Sequence, residues 1–275
     1  MQETRIGLLG AGNIAGALLR GLIASRTVSA ERVRASDVRA DRLAELERAH
    51  GISTCLDNSS LTSWADVVVL AVKPQVIPGV LEEMAPAVDS SKLLISVAAG
   101  VPISALQARL PDKTRIVRVM PNTAALVLAG ATAIAPGPAA TAEDVALASS
   151  LFAAVGRTAV LDEALMNVAT GLSGSGPAYV MLMIEALADG AVRLGMTRDT
   201  ALLLTAQTLY GAAKLQLETG THPAQLKDQV TSPGGTTAAG LHALEAGAVR
   251  AALMAAVSAA TERAEQLGAA SAKTR

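Results

Sequence analysis

Short aliphatic runs alternate with helix-like stretches along the first 161 residues of the chain. Several runs, such as Val67–Leu70, are apolar at every position, as strands are when a parallel sheet buries both of their faces. This alternation predicts a doubly wound α/β sheet in residues 1–161. The predicted strands are Ile6–Gly10, Val33–Asp37, Ile52–Thr54, Asp66–Val72, Leu93–Ala98, Ile116–Met120, Ala131–Ala135 and Thr158–Leu161. The predicted helices between them are Asn13–Ser25, Arg39–His50, Val76–Met84, Ile103–Leu110 and Ala142–Ala154.

From about residue 162 onward the strand-like runs stop, and long helical stretches follow. Residues 162–275 are therefore predicted to form an all-helical domain with breaks at glycine and proline. Its helices are apolar on more than one face, which favours a helix-rich interface between copies of the chain over a compact monomeric helical domain. The predicted helices are Pro177–Leu194, Arg198–Thr219, Pro223–Gln229, Thr236–Ala246 and Ala248–Leu267, followed by a frayed tail at Ala269–Arg275.

Composition and charge narrow the class of partners. Hydrophobic residues make up 51% of the 275 residues and charged residues 17%, which excludes a disordered chain. Aromatic residues are 1% and the net charge is −1, so the chain offers neither stacking platforms nor a basic surface for nucleic acid. The single cysteine, Cys55, excludes an internal disulfide and fits a reducing compartment. The three histidines match no zinc spacing, so no metal site is predicted, although carboxylate metal sites stay open.

Two long uncharged stretches are candidates for membrane-spanning helices. Val119–Ala142 and Ala164–Ile184 are both interrupted by proline and glycine, so neither predicts one continuous apolar helix. The amino-terminal residues lack the basic and then apolar pattern of a secretory signal. We therefore predict a cytoplasmic protein that does not bind membranes.

A glycine motif follows the first predicted strand and opens the first predicted helix. Gly10-Ala11-Gly12-Asn13-Ile14-Ala15 has the G-x-G-x-x-A form of the dinucleotide fingerprint. In that motif the first glycine permits a tight turn, the second lets the backbone approach a pyrophosphate, and the helix amino end attracts the phosphates. Since the context is strand, turn, helix and strand, the motif predicts a Rossmann-like dinucleotide-binding domain.

Asp37 ends the second predicted strand, about 20 positions after the turn, where a ribose-binding acid is expected. An acid there favours NAD, because it repels the 2′-phosphate of NADP. Arg39 and Arg42 follow at once and are able to neutralise that phosphate. Asp37 is also a reasonable cap for the helix that begins near Arg39. The sequence leaves NAD and NADP open.

Three later strand ends carry residues suited to a cofactor cleft, because ligands of open α/β sheets bind outside the carboxyl ends of the strands. They are Ala71-Val72-Lys73-Pro74, Ser96–Gly100 and Met120–Thr123. Lys73 is placed to lie along the cofactor, and the small side chains of Ala98 and Ala99 leave room for a nicotinamide or ribose. Close packing and a structural turn are the alternatives for the last two segments.

The helical half holds two glycine clusters. Thr170–Pro177 ends in a proline suited to the first turn of the helix that follows. Thr231–Thr237 precedes the predicted helix Thr236–Ala246, and its glycines free backbone N–H groups for an anion such as a carboxylate. A plain turn between helices is the alternative. The substrate-binding residues predicted in the second cluster are Ser232, Pro233, Gly234, Gly235, Thr236 and Thr237.

With these motifs, the chain resembles the pyrroline-5-carboxylate reductases, which catalyse the last step of proline synthesis. The stretch Leu226–Thr237 is close to diagnostic of that family. The matching segments span nearly the whole chain and are Gly7–Ala15, Ala71–Pro74, Ser96–Val101, Arg118–Thr123, Thr170–Tyr179, Ala186–Gly195 and Leu226–Glu245.

The resemblance implies reduction of the cyclic imine 1-pyrroline-5-carboxylate to L-proline, with NADPH or NADH as hydride donor. It implies that backbone amides of the loop before the last two helices bind the substrate carboxylate, and that the Thr237 hydroxyl bonds to the ring nitrogen. It also implies a homodimer, often built into a larger ring. The family usually has a small polar residue where this chain has Asp37, which leaves an NADP preference in doubt. The predicted cofactor-binding residues are Gly10, Ala11, Gly12, Asn13, Ile14, Asp37, Arg39, Asn58, Ala71, Val72, Lys73, Pro74, Ala98, Ala99 and Gln229.

Two rival functions remain at this stage. A β-hydroxyacid dehydrogenase also joins a Rossmann domain to a helical domain, but it needs a lysine about a turn into the helix that begins at Pro177. That helix reads Pro177-Ala178-Tyr179-Val180-Met181, without a lysine to take the proton that alcohol oxidation releases. The second rival is a non-catalytic nucleotide-binding subunit, in which the glycine cluster and Thr237 are structural only.

Overall fold

The computed structural model describes residues 3–273, and the side chains of residues 3–269. Its internal contacts divide the chain into two units. The sheet unit comprises Met1–Ser175 with Ser258–Arg275, and the helical unit comprises Gly176–Val257. These units do not test the functional boundary predicted between residues 161 and 162, which stays a prediction.

Eight strands form one sheet in the sheet unit, in the order β3-β2-β1-β4-β5-β6-β7-β8. The first six run parallel, and β7 pairs antiparallel with β6 and parallel with β8. All eight predicted strands are confirmed, with ends shifted by one or two residues. The strands are β1 Ile6–Leu9, β2 Val33–Ser36, β3 Ser53–Cys55, β4 Val67–Leu70, β5 Leu93–Ser96, β6 Arg115–Met120, β7 Gly130–Pro136 and β8 Gly156–Val160.

The strand order reverses direction between β1 and β4, which are neighbours in the sheet. In a doubly wound sheet this reversal opens a crevice at the carboxyl ends of the two strands, and ligands bind there. The predicted doubly wound, Rossmann-like fold class is confirmed. The crevice also lies directly beyond the glycine motif, because that motif follows β1.

Seven helices pack around this sheet, and two of them escaped the sequence prediction. The missed helices are α3 and the short α7. Serine and threonine are weak helix formers in the segment of α3, but Asp57 caps its amino end by accepting a bond from the Ser59 amide, and Leu61 is fully buried. The helices are α1 Asn13–Ala24, α2 Ala40–His50, α3 Asn58–Trp64, α4 Ile77–Met84, α5 Ile103–Gln107, α6 Ala142–Ala153 and α7 Met166–Ala169.

The core of the sheet unit lies in two large apolar clusters. One contains Leu8, Leu18 and Phe152, all at most 1% exposed. The other contains Leu70 and Leu81, both fully buried. In β4, Val67 and Val69 belong to the first cluster and Val68 and Leu70 to the second, because side chains alternate between the two faces of a sheet. The sheet is therefore covered on both faces, as the uninterrupted apolar strands predicted.

The helical unit contains four complete helices and the start of a fifth. The helices are α8 Gly176–Arg193, α9 Arg198–Thr219, α10 Pro223–Gln229, α11 Thr236–Ala246 and α12 Val249–Lys273. The bounds of α9, α10 and α11 are those predicted. We expected the last helix to end at Leu267 and a frayed tail to begin at Ala269. This expectation was wrong for residues 269–273, because α12 continues to Lys273. The alanines of this segment favour helix strongly enough to extend it.

The helical unit has little core of its own. Within residues 176–257 only Ala188 and Ala201 are buried, at 0% and 1% exposure. Large apolar side chains such as Leu182 and Leu203 stand 65% and 69% exposed. In the part of the chain that the structure describes, no single helix has the length and apolar character to cross a membrane. The bent pair of Thr236–Ala246 with Val249–Ala269 meets those criteria only jointly, across a bend of 52°.

Candidate functional site

The glycine motif forms a tight turn between β1 and α1. Gly10 has a φ of +104°, a backbone conformation that other residues rarely adopt. A Cβ atom at this position would lie 2.6 Å from the Ala71 carbonyl oxygen, which belongs to the segment after β4. Glycine is therefore required at position 10, both by the turn and by the close approach of β4. The turn thus joins Gly10 to Ala71 and Val72 at the edge of the crevice.

The amino end of α1 is open to a ligand. Its cap residue, Gly12, has extended backbone and makes no side-chain capping bond, and the first turn carries no acidic residue. The backbone N–H groups at such a helix end point outward and favour an anion, which the helix dipole also stabilises. Gly12, Asn13 and Ile14 therefore fit the pyrophosphate of a dinucleotide.

Asp37 is bonded to the glycine turn itself. Its Oδ2 atom accepts a hydrogen bond of 2.8 Å from the Ala11 amide, and its Oδ1 atom accepts one of 2.9 Å from the Arg39 amide. Burial raises the pKa of the Asp37 carboxyl, but these two amides and the Arg39 guanidinium outweigh burial and hold the pKa below its ordinary value. The expectation that Asp37 caps α2 was wrong, because Arg39 occupies the cap position.

Asn58 lies at the start of α3 and is bonded to Ser36 and Glu83. Its Oδ1 atom accepts a bond of 2.7 Å from the Ser36 hydroxyl, and its Nδ2 atom donates one of 2.6 Å to Glu83. Ser36 is buried at the end of β2, and its carbonyl accepts the Gly10 amide at 2.7 Å. Asn58 is thereby connected through Ser36 to the glycine turn.

Two exposed apolar residues at this edge escaped the sequence analysis. Val38 follows Asp37 and is 95% exposed, and Leu56 follows β3 and is 69% exposed. Both stand just beyond the carboxyl ends of adjacent parallel strands, β2 and β3. The signal that could have found them is an apolar residue next to a charged one within two positions of a strand end, as in Asp37-Val38-Arg39 and Leu56-Asp57.

The ends of β4 and β5 bring further predicted residues to the same edge of the sheet. Lys73 is exposed, whereas Ala98 is buried and Ala99 is exposed. A cleft of about 440 Å³ opens here, and Pro74 and Ala99 are among the residues that line it. Ala99 therefore borders open space, whereas Ala98 is buried, and the room for a nicotinamide or ribose stays a prediction.

The end of β6 is fastened to the first glycine cluster of the helical half. The segment Thr170–Gly174 forms a single π-helical turn, a feature often found at functional sites. The Asn122 side chain donates a bond of 3.0 Å to the Ser173 carbonyl of this turn and accepts one of 3.2 Å from the Ala131 amide. Asn122 thus holds three segments together next to Met120.

Arg118 and Glu163 connect the sheet with the segment that leads to the helices. Arg118 lies on β6 and is 5% exposed. The Glu163 Oε1 atom accepts a bond of 2.6 Å from the Ile103 amide and lies 3.4 Å from Arg118 Nη1. Burial lowers the pKa of the Arg118 guanidinium, and the Glu163 carboxylate partly opposes that effect. This pair fixes the start of α5 relative to β6.

The second glycine cluster lies in the helical unit between α10 and α11. Gly234 has a φ of +67°, and the Gly235 amide closes the turn by donating to the Ser232 carbonyl at 3.0 Å. Gly235 caps α11 without a side-chain bond, and the first turn of α11 carries no acidic residue. The amino end of α11 therefore suits an anion for the same reason as that of α1.

The polar side chains predicted in this turn are accessible. Ser232 and Thr236 are exposed and Thr237 is half-buried, while Gln229 is exposed at the end of α10. These residues belong to the helical unit, and the residues around Gly10 and Asp37 belong to the sheet unit. Among the side chains that the structure describes, no three His, Cys, Asp or Glu residues gather as a metal site requires.

Two family models match the chain. One is described as pyrroline-5-carboxylate reductase dimerisation and matches residues 163–267. The other is described as NADP oxidoreductase, coenzyme F420-dependent, and matches residues 5–100. The first therefore covers most of the helical half, and the second covers the glycine turn, Asp37, Asn58 and the end of β5.

Relatives and solved structures of the same name match the full length. A pyrroline-5-carboxylate reductase of Methanosarcina acetivorans is 49% identical over 268 residues, covering 98% of this chain and 99% of the relative. The solved structure of such a reductase from Coxiella burnetii has a TM-score of 0.93 at 40% identity, covering 96% of this chain and 98% of that one. The Plasmodium falciparum pyrroline carboxylate reductase, solved with NADP bound, has a TM-score of 0.86 at 32% identity, covering 98% and 99%. This chain belongs to the pyrroline-5-carboxylate reductase family.

Proposed function

We propose that this protein reduces 1-pyrroline-5-carboxylate to L-proline with a reduced nicotinamide dinucleotide, the final step of proline biosynthesis. The observation that carries the proposal is the uncapped amino end of α11 behind the glycine turn, in a chain whose first half holds a dinucleotide turn. Family membership over the full length supplies the reaction that uses both features.

The sheet unit supplies the groups that would hold the dinucleotide. The turn at Gly10 and the open amino end of α1 suit the pyrophosphate. Val38 and Leu56 offer exposed apolar side chains suited to an adenine ring, and Asp37 offers a carboxylate suited to a ribose. Lys73, Pro74, Ala98 and Ala99 complete the proposed cofactor surface of the sheet unit. Gln229 is a further proposed cofactor contact. When bound, the reduced dinucleotide supplies a hydride.

The turn at Thr231–Thr237 would hold the substrate. The backbone amides of Thr236 and Thr237 at the start of α11 bind its carboxylate, because an uncapped helix end favours an anion. The half-buried Thr237 hydroxyl bonds to the ring nitrogen and fixes the orientation of the C=N bond. Thr237 is therefore the residue to which we assign direct contact with the reacting atoms.

The reaction adds one hydride to the imine carbon and one proton to the ring nitrogen. An imine carbon is already electrophilic, and protonation of the nitrogen makes it more so. A strong general acid is therefore not needed, and a positioned hydroxyl suffices to orient the nitrogen. This accounts for a substrate turn built from serine, threonine, glycine and proline rather than from histidine or cysteine.

Assembly and location complete the proposal. The exposed apolar side chains of the helical unit, and the match to a dimerisation model, support a homodimer formed through residues 162–275. We propose that dimers combine into a larger ring and that the enzyme is cytoplasmic. Residues 1–161 then act as the dinucleotide-binding domain, and residues 162–275 as the substrate-binding and dimerisation domain.

The direct test measures oxidation of NADH and NADPH in the presence of 1-pyrroline-5-carboxylate, with proline identified as the product. Thr237→Ala should lower kcat a few-fold, because one hydrogen bond worth about 1 kcal/mol is lost. Thr237→Ser keeps the hydroxyl and should restore most of the activity, and Thr219→Ala at the exposed end of α9, outside the turn, serves as the control. Activity of Thr237→Ala equal to wild type would remove Thr237 from the mechanism.

Two outcomes would contradict the reaction itself. Reduction of NAD⁺ or NADP⁺ by small hydroxyacids, without turnover of the imine, would indicate a hydroxyacid dehydrogenase. Tight dinucleotide binding without turnover of any imine would indicate a non-catalytic subunit.

A further inference from the structure

We infer that this enzyme uses NADH in preference to NADPH and that Asp37 sets the preference. The inference rests on the proposed function only in taking a nicotinamide dinucleotide as the ligand of the glycine turn. The family model that matches residues 5–100 is described for NADP, and a related reductase was solved with NADP bound. The expected preference for NADH therefore comes from residues of this chain and not from the family.

The Asp37 carboxylate lies against the glycine turn. Asp37 directly follows β2, and its Oδ2 atom is bonded to the Ala11 amide inside the glycine turn at 2.8 Å. The neighbouring Ser36 carbonyl accepts the Gly10 amide at 2.7 Å, so two bonds hold the end of β2 against the turn. In Rossmann folds an acid at this place lies beside the adenosine ribose, where NADP carries its extra phosphate.

The Asp37 carboxylate is charged and is able to accept one further hydrogen bond. The Asp37 side chain is only 12% exposed, and two backbone amides fix its orientation. These amides stabilise the ionised form, which keeps the carboxyl charged at neutral pH. A carboxylate has about four acceptor positions, and the two amides and Arg39 Nε use three of them. The remaining position suits a ribose hydroxyl, which donates a hydrogen, but repels a 2′-phosphate, which brings negative charge.

Arg39 and Arg42, the two arginines near Asp37, do not offset this repulsion. Arg39 Nε lies 3.4 Å from Asp37 Oδ1, so its charge already faces the carboxylate. Arg42 is paired with Glu45, and its Nη2 atom lies 3.4 Å from the Ala11 carbonyl oxygen. Each arginine therefore has an acidic partner within the chain. A 2′-phosphate would have to compete with those carboxylates for the same guanidinium groups.

The test combines kinetics with direct binding. Dissociation constants of NADH and NADPH are measured by isothermal titration calorimetry, and kcat/KM for each is measured with 1-pyrroline-5-carboxylate. We expect wild type to favour NADH by about tenfold or more in both measurements, and Asp37→Asn and Asp37→Ser to shift the ratio toward NADPH by about tenfold or more. Asp41→Asn removes an equal charge from the exposed first turn of α2 and should leave the ratio unchanged.

Ionic strength adds an independent readout of the cause. If Asp37 repels the 2′-phosphate, raising the salt concentration from about 0.05 M to about 0.5 M weakens that repulsion. The ratio of the NADPH to the NADH dissociation constant then decreases in wild type, whereas it stays the same in Asp37→Asn. If Arg39 or Arg42 binds the phosphate instead, the same change weakens NADPH binding. That second result would overturn the inference.

The remaining outcomes separate this inference from the proposed function. A wild-type preference for NADPH, or a ratio that neither Asp37 variant moves, would overturn the role of Asp37 while leaving the reductase intact. Tighter binding of NADH without turnover of the imine would refute the proposed reaction and still support Asp37 as the selecting residue. Urea unfolding of each variant checks that the turn has not simply collapsed.

Discussion

The sheet unit and the helical unit bury their apolar residues in different ways. In the sheet unit, helices on both faces cover strands such as β4, and residues such as Leu70 and Leu81 are fully buried within one chain. In the helical unit, residues 176–257 bury only two alanines and expose most of their large apolar side chains. At roughly 25 cal/mol for each Å² of apolar surface, such exposure is a large unrealised stabilisation.

This difference shows what each unit needs in order to be stable. The sheet unit has a core that one chain supplies in full. The helical unit exposes the kind of apolar surface that obligate interfaces bury, and we propose that another copy of the chain supplies the missing half of its core. The leucines of α9 illustrate the point, because Leu202, Leu203 and Leu204 are consecutive and all at least 39% exposed. A single packed neighbour cannot cover three consecutive positions of one helix, since they spread around its axis.

The largest effect is expected from opening the core of the sheet unit. Leu81→Ala removes a fully buried side chain from the second apolar cluster and should lower the free energy of unfolding by about 2–5 kcal/mol. Urea unfolding at one fixed protein concentration measures the change. Leu56→Ala is the matched control, because Leu56 is 69% exposed and should cost at most about 0.5 kcal/mol. Equal costs for the two variants would contradict a self-sufficient core.

A charge placed on α9 should have the next largest effect, and it should act on assembly rather than on the sheet unit. Leu203→Glu puts an unpaired charge where we propose that a second copy packs, and should raise the dimer dissociation constant at least about a hundredfold. Leu56→Glu places the same charge at a site of equal exposure, 69%, in the sheet unit and should leave assembly unchanged. Sedimentation velocity over a range of protein concentrations distinguishes the two. An unaltered dimer in Leu203→Glu would remove α9 from the interface.

Most of the fold was readable from the sequence because its signals are local. The Val67–Leu70 run predicted a doubly covered strand, and glycine and proline marked the ends of α9, α10 and α11 correctly. Helix α3 was missed because its serines and threonines have weak helix propensity, and it forms through the Asp57 cap and the burial of Leu61. The length of α12 was underestimated because the end of an alanine-rich segment carries no distinct stop signal.

The candidate site was less readable because its arrangement depends on residues distant in sequence. The glycine motif predicted a turn, but the approach of Ala71 to Gly10 is a contact across 61 positions that no local pattern indicates. Asp37 allowed two interpretations, and the structure decided against the helix cap because Arg39 occupies the cap position of α2, while the Asp37 carboxylate is bonded to the Ala11 amide. The bridge from Ser36 through Asn58 to Glu83 is likewise a product of tertiary packing.

The smallest effect is expected from an ion pair that fastens the first strand of the sheet unit to its neighbour. The Arg5 amide and guanidinium donate three bonds to Asp66, at 2.9, 3.2 and 2.6 Å. The Arg5 side-chain bonds lower the pKa of the Asp66 carboxyl, and burial only partly opposes this effect. Because the folded-state pKa is the lower one, the pair stabilises the fold above the unfolded pKa of about 3.9 and loses that contribution as pH falls through the folded value.

Asp66→Asn should therefore lower the free energy of unfolding at pH 7 by about 0.5–1 kcal/mol, a small figure because both side chains are 41% exposed and solvent screens them. The difference from wild type should begin to shrink as the pH falls below about 4 and should disappear only below the lowered folded-state pKa of Asp66, where folded wild type also lacks the charge. Urea unfolding between pH 7 and pH 3 measures it, with the exposed Asp112→Asn as control. Since Arg5 and Asp66 belong to one chain and one unit, the same difference should appear in wild type and in the Leu203→Glu background. A difference that depended on the dimer would show that the sheet unit is not stable by itself.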